Sequence, residues 1–460
     1  MMSKWQTKKL SKVTEKIFSG GTPATTNKAY WNGDINWLSS GETSNRFIFD
    51  TIQKISLLGV ENSSTKLALQ WDTVIASAGQ GKTRGQTALL KVDSYINQSI
   101  IALRANRNEI TPLWLFYNLS NRYSELRNIS DSHSSRGSLT TALLKDLEIS
   151  FPSINEQDKI TGILFAIDNK IQLNTQTNQT LEQIAQAIFK HWFIDFAPVH
   201  AKANALARGE TIEQAELAAM ACLSGKTAEK ITALKTQDPT TYHQLQQTAQ
   251  AFPSEFVESE MGLVPKGWEV YSITDKRVCS IIKPKIHHFS GEKDYIATAN
   301  VSQNTIVGEL EKITFDNRPS RANMQPIVDS IWFAKMVGEH KAIMIDENDE
   351  FLLKNTILST GFLGIKPQQY KKCFLYCFIN SENFTLLKNS LATGAVQIAL
   401  NNTSFSSMNI ILPSDNVLEY FENKVSTLFS KIATNHRKNK SLAETRDLLL
   451  PKLLNGEIEL

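Results

Sequence analysis

The sequence predicts a mixed α/β protein in which two similar domains are each followed by a long helix, and the two helices form an antiparallel coiled coil. Residues 160–192 place apolar or amide side chains at alternating steps of four and three residues, the heptad period of a coiled-coil seam. Residues 421–453 repeat this seam at a constant offset of 261, without a gap. The paired seam positions are Ile160 and Phe421, Leu164 and Val425, Ile167 and Leu428, Ile171 and Ile432, Asn174 and Asn435, Asn178 and Asn439, Leu181 and Leu442, Ala185 and Arg446, Ile188 and Leu449, and Trp192 and Leu453.

Two asparagines lie near the midpoint of each seam. Antiparallel packing with aligned midpoints would bring Asn174 beside Asn439, and Asn178 beside Asn435. A buried amide costs free energy unless it meets a hydrogen-bonding partner, and polar seam residues are known to fix register. We therefore expect these four asparagines to set the register of the helix pair. The alternative is two unrelated amphipathic helices, which the ungapped repeat of the polar positions disfavours.

The repeat also indicates the domain organisation. A chain of 460 residues exceeds what one hydrophobic core usually holds. Residues 139–153 align with residues 400–414 at the same offset of 261, so the duplication extends upstream of the helices. Each helix, at about 1.5 Å per residue, would be roughly 50 Å long. The predicted segments are a first domain (1–153), a central long helix (154–196), a partly helical connector interpreted as a spacer (197–262), a second domain (263–413) and a C-terminal long helix (414–460).

Local patterns predict the elements inside the domains. Runs such as Thr73–Ala76 are typical of strands, and Pro112 opens a predicted helix over Leu113–Leu126. Cys373 and Cys377 flank an aromatic run, which predicts a buried helix face rather than a metal site. The four cysteines of the chain form no disulfide framework. The N-terminus lacks an apolar segment of signal-peptide length, so a cytoplasmic protein is expected.

The charge balance allows a modest phosphate-binding surface in the first domain. The net charge of the chain is +3, while residues 1–150 hold 18 Lys and Arg against 12 Asp and Glu. The chain as a whole does not have the strongly basic composition that announces a nucleic-acid partner.

Two loops admit an enzymatic alternative, a nuclease or NTPase that acts on DNA. Residues Gly79–Thr83 fit a loose phosphate-binding loop, but the residues after Arg84 suit a strand, whereas such a loop requires a helix there. Asp329, Glu339 and Lys341 loosely resemble the carboxylate and lysine set of metal-dependent nucleases. The tetrapeptide that DNA aminomethylases use to grip their target base is absent, and the histidines lack metal-ligand spacing.

Three strings carry a resemblance to a known family. They are Pro152–Gln157, the pair Phe252–Val257 and Pro265–Trp268, and Arg446–Glu457. Together and in this order they resemble the DNA-specificity subunit of type I restriction-modification systems. The second long helix departs from the family pattern, because its opening at Asp415–Glu419 lacks the Glu-Gln pair of the first.

This resemblance implies two target-recognition domains held apart by the antiparallel helices. Each domain would read one half of a bipartite DNA site, and half-sites about one helical turn apart, roughly 34–36 Å, would suit a rod of this length. The resemblance further implies that the chain is not catalytic by itself. Its partners would be double-stranded DNA, two methylation subunits and restriction subunits, and the protein partners would bind S-adenosylmethionine, ATP and magnesium. Methylation of adenine requires the base to leave the stack, so DNA distortion is expected.

Candidate DNA contacts follow from loop position and side-chain chemistry, because base reading needs donors and acceptors delivered into a groove. For any one of them the alternative is a solvated loop residue, and for the whole chain a scaffold that binds protein and no DNA. The candidates are Gln80, Lys82, Thr83, Arg84, Ser135 and Arg136 in the first domain, and Arg318, Arg321, His340, Lys341 and Gln397 in the second.

Overall fold

The computed structural model of the chain describes residues 5–79, 81–131, 137–392 and 398–458. The chain divides into two compact units. Unit 1 comprises residues 1–174 and 437–460, and unit 2 comprises residues 175–436. Each unit therefore contains one mixed domain together with a segment of both long helices.

Unit 1 is built around a five-stranded sheet and a four-stranded sheet. The order of the first is β2-β10-β7-β8-β4 and that of the second is β5-β3-β9-β6, while β1 pairs with β11. The strands are β1 (Gln6–Lys9), β2 (Thr14–Ser19), β3 (Trp31–Leu38), β4 (Phe47–Ile48), β5 (Gln53–Ile55), β6 (Lys66–Ala68), β7 (Thr73–Ala76), β8 (Thr87–Leu90), β9 (Ser94–Ile96), β10 (Ile100–Ala105) and β11 (Glu148–Phe151). The helices are α1 (Leu10–Val13), α2 (Leu57–Glu61), α3 (Pro112–Ser120), α4 (Tyr123–Asp131), α5 (Thr141–Asp146) and the start of α6 (Ile154–Phe189).

The helix predicted over Leu113–Leu126 is two helices, α3 and α4. Pro112 and the N-cap Thr111 begin α3, as the sequence indicates. The N–H of Arg122 donates to the carbonyl of Leu119, three residues back, and this tight final turn ends α3 before α4 begins. The predicted single helix was therefore wrong at this break.

Unit 2 contains two four-stranded sheets, of order β15-β24-β21-β22 and β19-β16-β23-β20, and three two-stranded sheets. Its strands are β12 (Phe256–Ser259), β13 (Gly262–Pro265), β14 (Glu269–Ser272), β15 (Cys279–Ile282), β16 (Lys293–Ile296), β17 (Val301–Ser302), β18 (Thr305–Ile306), β19 (Glu311–Ile313), β20 (Ala322–Met324), β21 (Ser330–Ala334), β22 (Ala342–Ile345), β23 (Thr356–Ser359), β24 (Phe362–Pro367) and β25 (Asn409–Leu412). Its helices are α7 (Ala197–Ala207), α8 (Ile212–Ser224), α9 (Ala228–Gln237), α10 (Pro239–Ala251), α11 (Glu350–Asn355), α12 (Lys372–Ile379), α13 (Glu382–Leu391), α14 (Asn402–Ser406) and part of α15 (Asp415–Leu454).

The connector consists largely of four helices, α7 to α10, which pack into the core of unit 2. Phe252, just after α10, meets Trp192 edge to face at 5.3 Å and belongs to the same apolar cluster as Phe421. The ammonium of Lys202 in α7 donates to the carbonyl of Phe252 at 2.6 Å, at the end of α10. The predicted buried aromatic helix is also confirmed, because every residue of α12 from Cys373 to Ile379 is buried.

In unit 1 the two long helices run antiparallel. The amide of Asn174 donates to Asn439 at 2.8 Å, and Asp168 pairs with Arg446 at 2.6 Å. A residue later in α6 therefore lies beside a residue earlier in α15, which is the antiparallel arrangement. The amide of Asn439 also donates to the carbonyl of Ile171 at 3.3 Å, so both amides of this pair are engaged.

Unit 2 shows the same arrangement. Asn435 donates to Asn178 at 2.8 Å, and Asn178 donates to the carbonyl of Ile432 at 3.4 Å. Further along, the rings of Phe189 and Phe421 lie 6.2 Å apart. The bonding of the first amide pair is thus repeated at an offset of 261, and the predicted fold class is confirmed. The role of these amides in setting register stays a prediction.

Candidate nucleic-acid interface

In the first domain, the loop between β7 and β8 carries the candidate contacts Lys82 and Thr83. Three glycines with positive φ shape it, namely Gly79, Gly81 and Gly85. The N–H of Gly85 donates to the carbonyl of Ala76, so the loop closes a β-hairpin, and β8 follows it directly. This geometry differs from a phosphate-binding loop, which requires a helix at that point.

Helix α4 supports this loop from one side. The hydroxyl of Tyr123 donates to the carbonyl of Lys82 at 2.9 Å, and the guanidinium of Arg127 donates to the carbonyl of Gly81. The side chain of Lys82 is exposed and that of Thr83 is half-buried. These contacts hold the loop backbone from the helix side while Lys82 faces solvent.

Arg84 has a different position from its neighbours. Its side chain is 8% exposed, donates to the carbonyl of Gly137 at 2.8 Å and forms an ion pair with Asp131. Burial keeps this guanidinium away from solvent, and its predicted contact with DNA stays a prediction. It joins the hairpin loop to Asp131 and Gly137. Three further candidates, Gln80, Ser135 and Arg136, lie outside the described residues.

The loop position of Arg84 leads to a testable expectation. The change Arg84→Met keeps the apolar stem but removes the charge-assisted hydrogen bonds to Gly137 and Asp131, each worth about 1.5–3 kcal/mol. We expect selectivity for the first half-site to fall while selectivity for the second is kept. Competition binding with DNA altered in one half at a time measures this. Equal losses for both halves would contradict a local role.

The second domain builds an equivalent loop after β21, at residues 335–341. The N–H of Lys335 donates to Gly361, and its carbonyl accepts from the N–H of Leu400. In the first domain, Ser77 makes the same two bonds, to Ser99 and from Leu139. Leu139 and Leu400 are separated by the repeat offset of 261. The two domains therefore present one loop framework with different side chains.

Two predicted contacts lie in this second loop. His340 is exposed and hydrogen-bonds through Nδ1 to the hydroxyl of Thr385 at 3.1 Å. Lys341 is half-buried, and its ammonium lies 3.0 Å from both the carbonyl of Thr298 and the carboxylate of Glu339. His340 is therefore the better placed of the two for contact with a ligand. Gln397 lies outside the described residues.

The remaining predicted contacts are Arg318 and Arg321, in the segment between β19 and β20. Arg318 donates to the carbonyl of Phe315 and stacks over its ring at 4.4 Å, so its guanidinium is partly engaged. Arg321 is exposed, and its carbonyl accepts from the N–H of Thr360 at 2.8 Å.

A buried ion cluster in unit 1 escaped the sequence analysis. Asp168 in α6 is 3% exposed; it accepts from the hydroxyl of Tyr117 at 2.7 Å and pairs with Arg446 at 2.6 Å. Arg46 lies 3.5 Å from the same carboxylate. Burial first, and then the neighbouring carboxylate, raise the pKa of Tyr117. This cluster joins the mixed domain to both helices, and the signal for it was an arginine at a seam position.

The carboxylates of the nuclease alternative are each engaged by a lysine. Asp329 pairs with Lys372 at 2.7 Å, and Glu339 pairs with Lys341 at 3.0 Å. Within the described ranges, no three His, Cys, Asp or Glu side chains are grouped to hold a metal ion. Among the described residues, no helix is long and apolar enough to cross a membrane.

Comparison with known proteins places the chain in one family. A family model described as the type I restriction modification DNA specificity domain matches residues 2–183. The chain is 31% identical to the type I restriction enzyme HindI specificity subunit of Haemophilus influenzae, over 92% of this chain and 94% of the relative. It is 25% identical to the MjaIX specificity subunit of Methanocaldococcus jannaschii, over 99% of this chain and 93% of the relative.

The fold agrees with that assignment. The crystal structure of a type I restriction-modification S subunit from M. genitalium matches with a TM-score of 0.51 at 13% identity, over 98% of this chain and 96% of that chain. The sequence strings, the full-length relatives and the shared fold converge, and the chain belongs to the DNA specificity subunits of type I restriction-modification systems.

Proposed function

We propose that this specificity subunit reads a bipartite, asymmetric DNA site and directs adenine methylation and cleavage by partner subunits. Each mixed domain reads one half-site, and the antiparallel helices set the distance between the halves. The partners are two methylation subunits and the restriction subunits, which carry S-adenosylmethionine, ATP and magnesium. The chain itself supplies recognition and no catalytic group.

The observation that carries this proposal is the shared loop framework of the two domains. Ser77 and Lys335 have the same backbone bonds, yet the loops that follow them differ in length and in side chains. A common framework suits two readers of the same kind, since phosphate contacts position a protein while side chains in loops or helices specify bases. Different side chains would then read different half-sites, which makes the whole site asymmetric.

Substitution of His340 tests the assignment of one domain to one half-site. We expect His340→Ala to reduce discrimination at the second half-site by about 1–3 kcal/mol per base pair misread, because an exposed donor or acceptor is lost there. Binding of the assembled complex to DNA altered in one half at a time is the measurement. Lys82→Ala is the matched variant in the other domain, and its effect should be confined to the first half-site.

The enzymatic alternative has a direct test. In the presence of magnesium, the purified chain is expected to hydrolyse neither ATP nor duplex DNA. The complete complex is expected to hydrolyse both. Turnover by the purified chain that Lys341→Ala removes would overturn the non-catalytic assignment.

A further inference from the structure

Three basic residues lie at one edge of the sheets in unit 2. Lys335 follows β21, and its N–H donates to the carbonyl of Gly361 at 3.1 Å. Arg321 precedes β20, and its carbonyl accepts from the N–H of Thr360 at 2.8 Å. The turn at 360–361, which joins β23 to β24, therefore holds both residues by their backbones.

Lys283 reaches the same edge through strand pairing. Strand β24 lies between β15 and β21. Ile282, the last residue of β15, is opposite Gly364, and the last residue of β21 is opposite Phe362. Lys283 and Lys335 thus leave two strands on either side of the start of β24.

The charges of Lys283 and Arg321 act on Lys335. Lys335 is half-buried, and its pKa is lowered first by burial and then by the positive charges of Lys283 and Arg321. In the part of the chain that the structure describes, no acidic side chain forms an ion pair with any of the three. Like charges held together in this way oppose folding, and an anion that binds among them relieves the repulsion.

We propose that Lys283, Arg321 and Lys335, here called the cation cluster, bind backbone phosphates of DNA beside the half-site that the second domain reads. This inference rests on the proposed function and adds a phosphate-binding site to it. Of the three, only Arg321 was a candidate from the sequence. Such contacts fix the position of a domain on the duplex and carry no base information.

At two of the three equivalent places, the first domain has serine where the cation cluster has lysine. The residue equivalent to Lys335 is Ser77, by its bonds to Ser99 and from the chain at Leu139. The residue equivalent to Lys283 is Ser19, the last residue of β2, by the strand pairing. Both lysines of the cation cluster are therefore particular to the second domain, and their electrostatic effect should appear at the half-site that this domain reads.

The test uses the full chain assembled with its own partner subunits and a DNA duplex that carries the recognised site. We expect Lys335→Gln to make the dependence of log affinity on log salt shallower by about 0.9, the value for one phosphate contact. The variant and the unaltered chain should bind DNA equally near 1 M salt, where phosphate contacts contribute little. With a slope difference of about 0.9, the affinity of the variant at 0.15 M salt should then be about five-fold lower. Preference for the correct half-site should be kept. The triple change Lys283→Gln, Arg321→Gln and Lys335→Gln should lower the slope by about three times as much.

Thermal stability separates this role from a structural one. Lys335→Gln removes a half-buried charge and its repulsion, so the melting temperature of the variant should rise while DNA binding weakens. A structural role predicts a lower melting temperature. Lys366→Gln is the matched control, because Lys366 is exposed on β24, the strand beside β21, lies opposite Ser280 and carries the same charge as Lys335. Its salt dependence should equal that of the unaltered chain.

The outcomes distinguish the two proposals. If the unaltered complex binds its site selectively and the triple variant keeps the full salt dependence, the phosphate-binding role of the cation cluster is wrong and the proposed function stands. Equal decreases in slope for Lys335→Gln and Lys366→Gln would also overturn it, because the effect would then reflect net charge. Unaltered complexes that show no sequence-selective binding would overturn the proposed function instead.

Discussion

Replacement of Asp168 by alanine is expected to lower the free energy of unfolding of the full chain by about 3–5 kcal/mol, the range for loss of one partner of a buried ion pair. The carboxylate accepts hydrogen bonds from Tyr117 and Arg446, and Arg46 lies 3.5 Å away. Alanine would leave two largely buried guanidinium groups and a phenol without their shared anion. Urea denaturation of the variant measures this loss.

Asp447 provides the matched control. Its carboxylate accepts from the same Arg446 at 2.8 Å, but its side chain is 60% exposed. Exposed ion pairs contribute about 0–1 kcal/mol, so Asp447→Ala should change stability little. Equal losses in the two variants would show that Asp168 gains nothing from its burial and its additional partners.

The paired change Asn174→Leu and Asn178→Leu is expected to relax the spacing between half-sites. In unit 1 Asn439 would then face leucine, and in unit 2 Asn435 would lose the amide of Asn178, to which it donates. An unsatisfied buried amide costs about 1–3 kcal/mol, so the native register loses part of its advantage. A slip of one heptad moves a helix by about 10 Å. That distance corresponds to about three base pairs of DNA at 3.4 Å each.

Selection of bound duplexes from a library of spacer lengths measures this relaxation. Conversion of all four seam asparagines to leucine is the companion variant. It should recover stability, because leucine then faces leucine, while the spacing preference stays broad. A quadruple variant that keeps the native spacing would show that the amides do not set the register.

Much of the helix pair could be predicted from the sequence because the duplication preserves the seam. The residues equivalent to Asn174 and Ile171 at an offset of 261 are Asn435 and Ile432. The hydrogen bonds made by the first two are repeated by the second two. The ion pair could not be predicted in this way. The residue equivalent to Asp168 at this offset is Phe429. The helices of unit 1 are therefore joined to their domain by charged groups, and those of unit 2 by aromatic packing.

The loop contacts were harder to predict, for a physical reason. Loop composition indicates which side chains can bind DNA, but it does not indicate which of them the fold buries. Arg84 and Lys82 belong to one polar loop, yet only Arg84 is buried, since Gly137 and Asp131 approach it from 47 or more residues away. Lys283 and Lys335 are likewise distant in sequence, and the order β15-β24-β21 brings them together.

The most direct measurement is a methylome of cells that carry this subunit together with its own methylation and restriction subunits. The expected result is adenine methylation at one motif with two unlike halves and an unspecified spacer of fixed length. Exchange of residues 263–413 for the corresponding segment of a relative should change one half and leave the other. A motif that is continuous or palindromic, or one that changes in both halves after the exchange, would contradict recognition by two separate readers.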